Sequence, residues 1–206
     1  MRKATEELEY EHRIIERVVA AMAVLAEKLQ SGKKIRATVW PDLVEFLHIF
    51  ADTCHHGKEE GYLFPLLEKK GVPVSGCPLA VLLNDHRKGQ SLVADLRQTS
   101  EAYLRAPDTD KEALIGTLHR LVELYPAHIW KEDYLLFPMT NKILSDGEQE
   151  ALSQPPIGIR GSSEVSTQRT TRHNLLRQLF ETVVNIKTDW RFMLFESHVE
   201  EDEAIR

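Results

Sequence analysis

The fold is decided by one pattern that occurs twice, HHGKEEGYLFP at residues 55–65 and HIWKEDYLLFP at residues 128–138. In each copy a His is followed four residues later by a Glu, and an apolar run then closes in Leu-Phe-Pro. Upstream, the triplet EHR at residues 11–13 recurs as DHR at residues 85–87, a distance of 74 residues against 73 for the longer pattern. Because the two elements repeat in step, the sequence indicates that one helical hairpin has been duplicated.

Length and charge limit what the chain can be. The 206 residues are 42% hydrophobic, which is enough for one substantial core. The 32 acidic and 26 basic residues are spread along the chain without a basic stripe, which argues against a partner that is nucleic acid or an anionic membrane. The N-terminus is charged, and no apolar run approaches the roughly 18 residues of a membrane span. We therefore expect a soluble, cytoplasmic protein.

Hydrophobic spacing predicts an all-α fold. Apolar residues recur at helical intervals along most of the chain, and alternating strand-like runs are hard to find. Turn and proline signals divide the duplicated region into four helices, at 5–29, 41–65, 78–105 and a last one that ends at Pro138. Four helices with short loops predict an antiparallel up-down four-helix bundle, an architecture that builds metal sites from facing inward positions.

The duplication extends to the prolines and to the residues predicted to face inward. Pro65 and Pro138 occupy the same place in the two copies, and we expect them to kink or end their helices. One turn after the Glu of each copy stand Tyr62 and Leu135, which are predicted to lie on the inner faces. At that position Tyr62 could pack or could donate a hydrogen bond to a bound ligand.

The chain divides into three predicted parts: a bundle over residues 1–150, a linker over 151–168 and an additional C-terminal helix over 169–206. The linker is rich in Pro, Gly and Ser. The C-terminal helix carries an apolar stripe that includes Leu176 and Phe180, so it must cover another apolar surface. The sequence leaves open whether that surface is the bundle itself, a second copy in a homodimer or a partner protein.

Six side chains on four helices have the chemistry of a dimetal site. Residues i and i+4 of an α-helix lie about 5–6 Å apart on one face, so each His-x-x-x-Glu aims an imidazole and a carboxylate at neighbouring points. The simplest assignment gives His12 and His55 to one ion, His86 and His128 to the other, and lets Glu59 and Glu132 bridge both. Burying these groups without a cation would cost several kcal/mol each.

The ligand types favour iron, and manganese, zinc or copper would also suit them. Ferritin-like dimetal bundles use more carboxylates and fewer imidazoles than this set. A centre with fewer carboxylates keeps more positive charge, which favours small anionic or readily reduced ligands such as peroxide or superoxide.

Neighbouring histidines offer alternatives to this ligand set. His56 and Glu60 form an overlapping register, which we set aside because aligning the two Leu-Phe-Pro ends pairs His55 with His128. His48 lies seven residues before His55, hence about two α-helical turns away, and is expected to hydrogen-bond beside the site or to pack in the core.

The pattern H-HxxxE-H-HxxxE formed by the six residues resembles the hemerythrin-like (HHE cation-binding) domain. The resemblance covers roughly residues 5–145 and all six ligand positions. It implies a four-helix bundle with a non-haem, carboxylate-bridged and oxo- or hydroxo-bridged diiron centre that handles O2, peroxide or nitric oxide. Members of the family include oxygen carriers, bacterial oxygen or redox sensors, iron-centre repair proteins and peroxide-consuming proteins.

One departure from the family pattern bears on function. Oxygen-carrying hemerythrins place a fifth His four residues after the His of the third helix, where this chain has Gln90, and Glu16 stands at the symmetric position of the first helix. A site short of one imidazole has an extra exchangeable position or recruits another carboxylate. Gln90 and Glu16, together with His48 and Tyr62, are candidates for the layer of residues around the metal ligands, and a pure O2 carrier is disfavoured.

Three functions stay open at this point, and no catalytic residue is assigned. The first is a module that binds or senses O2, NO or peroxide at a diiron centre. The second is a diiron enzyme that consumes peroxide or reduces NO, or a protein that repairs iron centres. The third is a structural bundle in which a metal such as zinc only holds the helices together.

Overall fold

A computed structural model describes residues 3–153, and the regular secondary structure in that range is entirely helical. The predicted all-α class is thereby confirmed. The helices are α1 Ala4–Gln30, α2 Val39–Glu45, the π-helices π1 Phe46–His56 and π2 Glu59–Leu63, α3 Phe64–Lys69, α4 Leu79–Arg105, α5 Pro107–Lys131, the π-helix π3 Glu132–Leu136, α6 Phe137–Ile143 and α7 Asp146–Ser153. The predicted C-terminal helix and nearly all of the predicted linker lie outside the described residues.

Several of these helices join end to end. The backbone is helical without interruption over residues 39–69 and over residues 107–143, which we call the second and fourth long helices. The first and third long helices are α1 and α4. Gly32 ends the first long helix with a φ of +71°, and Ala106 separates the third from the fourth with an extended φ of −143°. Both breaks stand where the sequence predicts them.

The two repeated prolines do not end their helices. Pro65 and Pro138 lie in the first turns of α3 and α6, and the second and fourth long helices continue beyond them to residues 69 and 143. Each proline is the second residue after a π-helix, where the hydrogen-bond ladder returns from i→i+5 to i→i+4. The N–H that proline lacks is therefore missing at a point where the α-helical ladder is interrupted in any case.

The π-helices also shift which residues face inward. Tyr62 and Leu135 were predicted to lie on the inner faces, but they are 45% and 51% exposed. The next residues, Leu63 and Leu136, are buried in their place. The same error occurs in both copies because π2 and π3 occupy equivalent positions, and a wider turn moves the inward face on by one residue.

The buried apolar residues form two clusters that lie at different levels along the bundle. The larger one contains Ile15 of α1 and Ala51 of the second long helix, together with most of the buried residues of α5. The smaller one contains Leu8 of α1 and Leu63 of the second long helix. Along each of the four long helices, the predicted metal-ligating His lies between residues of the two clusters. Within residues 3–153, none of the helices combines the length and the apolar composition that a membrane span needs.

Candidate metal centre

The structure brings the six predicted ligands together between the two apolar clusters. They come from all four long helices: His12 from α1, His55 from π1, Glu59 from π2, His86 from α4, His128 from α5 and Glu132 from π3. None of these residues is more than 3% exposed. A set of six polar side chains is therefore removed almost completely from water.

The imidazole Nε2 atoms point at one another and at the two carboxylates. The Nε2 atom of His12 lies 2.9 Å from Nε2 of His55 and 3.1 Å from Oε2 of Glu132. The same Glu132 Oε2 atom lies 3.3 Å from Nε2 of His128. Glu132 thus faces imidazoles from both copies of the duplicated hairpin.

Glu59 is placed in the equivalent way. Its Oε1 atom lies 3.7 Å from Nε2 of His55, and its Oε2 atom lies 3.5 Å from Nε2 of His86. Each carboxylate therefore stands between imidazoles of both hairpins, which is the arrangement that two bridging ligands require.

The side chains fall into two groups that could each hold an ion. In each group, one ligand atom per residue lies within 4.8 Å of the others. The members of the first group are His12, His55, Glu59 and Glu132, and those of the second are His56, Glu59, His86 and His128. Glu59 belongs to both groups, and the first pairs the two histidines that were assigned to one ion from the sequence.

His56 is the member of the cluster that the sequence reasoning set aside. The alignment of the Leu-Phe-Pro ends favoured His55 over His56, but the structure buries both imidazoles in the cluster. His56 stacks on His86 with ring centroids 3.9 Å apart and planes 12° apart. Two adjacent residues can face inward because π1 has a wider turn, so neighbouring side chains diverge less than in an α-helix. The His-His pair in the sequence was the only available signal.

Each of the four predicted histidines turns Nδ1 toward a carboxylate outside the cluster. The Nδ1 to oxygen distances are 2.6 Å from His12 to Asp133, 3.1 Å from His55 to Glu11, 2.6 Å from His86 to Glu60 and 3.9 Å from His128 to Asp85. The first three contacts are hydrogen bonds, and these fix the ring orientation and the tautomer that leaves Nε2 free to bind metal.

The outer carboxylates occupy equivalent positions in the two copies, and basic side chains pair with three of them. Glu11 and Asp85 are equivalent in the two copies; Nζ of Lys58 lies 2.8 Å from Glu11, and Nζ of Lys131 lies 2.5 Å from Asp85. Arg13 pairs with Asp133. This layer was not predicted, although the sequence carries a signal for it: an acidic residue precedes the first His and follows the Glu in each copy.

Three of the four residues that were considered for the layer around the ligands lie at the surface instead. The side chains of His48, Tyr62 and Glu16 are at the surface, and Glu16 pairs with Arg13 at 2.9 Å. Because π1 widens the turn, seven residues no longer complete two turns, and His48 leaves the face of His55. Gln90 reaches only the outer layer, where its Nε2 donates to Oδ1 of Asp52 at 2.8 Å.

Burial governs the ionisation of the cluster. It raises the pKa of the Glu59 carboxyl well above its usual range, with a further rise from the charge of Glu11, and it does the same for Glu132 beside Glu59. Burial also lowers the pKa of His55 and His128. In the absence of a cation the cluster thus favours neutral groups, and neutral imidazole is the form that binds metal.

The buried atoms of the cluster lack the hydrogen bonds that such atoms normally have. Among the described residues, both carboxylate oxygens of Glu59 and of Glu132, both ring nitrogens of His56 and of His128, and Nε2 of His86 are buried without a hydrogen-bond partner. Orphaned polar atoms of this kind cost about 1–3 kcal/mol each, and more when charged. They converge on one place and are all metal-ligand types, so these residues fit a metal site.

Comparison with known proteins agrees with this chemistry. The family model described as the hemerythrin HHE cation binding domain matches residues 3–140. An uncharacterized protein of Mycobacterium bovis and uncharacterized proteins of two Mycobacterium tuberculosis strains, CDC 1551 and H37Rv, are each 22% identical over 142 residues. Those alignments cover 69% of this chain and 55% of each relative, so the chain spans about half the length of the curated relatives it matches. No solved structure gives a significant match.

Proposed function

Because the chain belongs to the hemerythrin HHE cation-binding domain family, we propose that it holds two iron ions in the buried His/Glu cluster and uses them to bind or sense O2, NO or peroxide. His12 and His55 would hold one ion, His86 and His128 the other, and Glu59 and Glu132 would bridge them. The observation that carries the proposal is the position of the two glutamates, each facing imidazoles of both hairpins without a hydrogen bond of its own.

Iron is the metal that we propose for this site. Mixed imidazole and carboxylate ligands suit it, and the family implies cation binding. When bound, a pair of iron ions would supply one-electron redox chemistry toward small ligands such as O2, NO and peroxide. Manganese and zinc suit the same donor atoms.

The protein's own contribution is to orient ligands and to exclude water. The carboxylates of Glu11, Asp133 and Glu60 accept hydrogen bonds from the Nδ1 atoms of three imidazoles and so direct the Nε2 atoms inward. The apolar clusters above and below the site keep bulk water out. A dry site strengthens every electrostatic contact inside it.

We further propose that the four long helices run in alternating directions as an up-down bundle. The proposal is supported by the packing of α4 against α5, of α1 against α5 and of α2 and π1 against α4. Short connections also join successive helices, such as the single residue Ala106 between α4 and α5.

The function is tested by loading the metal-free protein with two equivalents of Fe2+ under nitrogen and following its absorption spectrum. We expect an iron-dependent spectral change on adding O2 or NO that reverses fully over repeated cycles of removal and addition. Glu132→Ala should abolish the change, whereas Glu123→Ala, at an exposed position of α5, should preserve it.

Two results would redirect the proposal. Steady turnover of peroxide or NO, lost in Glu132→Ala, would establish the enzyme instead of the binding module. A protein that binds zinc tightly and gives no iron-dependent response to O2, NO or peroxide would be a structural bundle, and the proposal would be wrong.

A further inference from the structure

We infer that His56 is a metal ligand, the third imidazole on the ion held by His86 and His128. The two ions of the proposed centre are then held unequally, one by three imidazoles and the other by the two of His12 and His55. This inference rests on the proposed function, because it concerns the same pair of ions.

The surroundings of His56 are those of a ligand and not of a core histidine. Its ring is buried, and neither of its nitrogens has a hydrogen-bond partner in the described structure. A buried imidazole that serves only in packing normally hydrogen-bonds at least one nitrogen. The ring instead stacks on His86 at 3.9 Å, and it offers a nitrogen within 4.8 Å of ligand atoms of Glu59, His86 and His128.

The outer contact of His56 resembles that of His128, whose Nδ1 atom also faces a carboxylate from beyond hydrogen-bonding distance. The Nδ1 atom of His56 lies 3.6 Å from Oδ1 of Asp52, a residue one turn earlier on the same helix. Gln90 donates a hydrogen bond to the same Asp52 oxygen at 2.8 Å. Gln90, four residues after His86, thus lies in the layer around the ligands as predicted, and it acts as a positioning residue for Asp52.

The His56 imidazole has no counterpart in the other half of the site. The position equivalent to His56 in the second copy is Ile129, and the position equivalent to Asp52 is Tyr125, and both are buried. The π-helix that turns His55 and His56 inward together is likewise present in one copy, because α5 runs as an α-helix as far as Lys131 in the other. The extra imidazole, its carboxylate and its backbone geometry therefore occur together.

The test counts coordinated imidazoles by NMR in protein loaded with two equivalents of Co2+, whose bound histidines give strongly shifted, solvent-exchangeable N–H signals. We expect five such signals in the wild-type protein, from His12, His55, His56, His86 and His128. His56→Ile, which copies the residue of the equivalent position, should show four. His48→Gln on the same helix, where the His side chain is exposed, is the matched control and should retain five.

Metal affinity provides a second readout. Competition with a chromophoric chelator should show that His56→Ile binds one of two Fe2+ ions at least about 10-fold more weakly, since even loss of an outer-layer partner typically costs 10–100-fold. The other ion should be bound as in the wild-type protein.

The outcomes separate this inference from the proposed function. If the wild-type protein binds two ions with four imidazoles, or if His56→Ile keeps all five signals and both affinities, His56 is not a ligand and the proposed centre stands. If the wild-type protein binds fewer than two ions, both proposals fail. Should His56→Ile not fold, the count of five or four in the wild-type protein decides the question.

Discussion

At the scale of single residues, the free-energy cost of burying the site is concentrated in two carboxyl groups. Glu59 and Glu132 are fully buried, and neither has a hydrogen-bond partner for its oxygens in the described structure. Burial raises the pKa of both carboxyl groups because the charged form loses its hydration. Such groups destabilise a protein unless a cation neutralises them, so they indicate selection for binding and not for folding.

Glu132→Gln should therefore separate binding from stability. We expect the variant to bind the ion pair more than about 100-fold more weakly, because a bridging ligand should cost more than an outer-layer partner. Its metal-free form should be at least as stable as metal-free wild-type protein, because a buried ionisable group has been removed. Chelator competition and urea unfolding measure the two quantities. Glu123→Gln on the exposed side of α5 is the control, and tight binding of two ions by Glu132→Gln would contradict the bridging role.

We expect the outer carboxylates to contribute less to metal affinity than the two buried glutamates do. Asp133 accepts a hydrogen bond from Nδ1 of His12 at 2.6 Å without lying inside the cluster. Asp133→Asn should weaken metal binding by about 10–100-fold while the number of bound ions stays at two. Titration with Fe2+ in the presence of a competing chelator measures this change. An unchanged affinity would mean that His12 is oriented by packing alone.

Most of the residues that form the cluster could be predicted from the sequence, but the positions of their neighbours His56, His48 and Tyr62 could not. The repeat at His55 and His128 suffices to bring six ligand-type side chains into one group, because helical spacing places them on inner faces. His56 was missed, and His48 and Tyr62 were placed wrongly, for a single reason. All three positions depend on how many residues complete a turn, and they lie in or beside π-helices, where the α-helical spacing does not hold.

At the scale of secondary structure, the π-helices are the least predictable feature of the chain. They occur at Phe46–His56, Glu59–Leu63 and Glu132–Leu136, and the last two follow the duplication. No residue type marks a π-helix, since its hydrogen bonds shift by one residue and its composition stays helical. Helix ends were easier, because Gly32 with its positive φ and the break at Ala106 carry turn signals.

The short helix α7 offers a pH-dependent contact at this scale. The Lys70 ammonium 2.8 Å from Glu148 lowers the pKa of that carboxyl to about 2, with help from hydrogen bonds of Ser145. Because this pKa is depressed in the folded protein, the contact stabilises α7 fully above the usual pKa of about 4.5 and is lost as pH falls toward about 2. In NMR titrations, Lys70→Met should move the Glu148 pKa upward toward 4.5. An unchanged Glu148 titration would show that Ser145 alone lowers the pKa.

At the scale of the whole molecule, the site links four helices that otherwise belong to two separate apolar clusters. Each long helix contributes at least one ligand-type residue to the level between those clusters. The all-α class followed from hydrophobic spacing, because helical periodicity repeats over long segments and survives local changes of register. The division of the core into two clusters could not be read from the sequence, since it depends on which polar residues interrupt the apolar faces in space.

Metal binding should therefore stabilise the fold as a whole. At free Fe2+ 100-fold above its dissociation constant, binding adds about 2.7 kcal/mol, which corresponds to a rise of about 5–10 °C in the unfolding midpoint for a chain of this size. Calorimetry of the protein before and after chelation measures this shift. A midpoint that is independent of Fe2+ would mean that the cluster does not hold the ion in the folded protein.

The most direct test of the central claim is anomalous diffraction at the iron absorption edge from crystals of the Fe2+-loaded protein. Two peaks are predicted between the apolar clusters, one beside His12 and His55 and the other beside His86 and His128, with Glu59 and Glu132 each in contact with both. A single peak, or iron found only at the protein surface, would contradict the claim that the duplicated hairpins enclose a pair of metal ions.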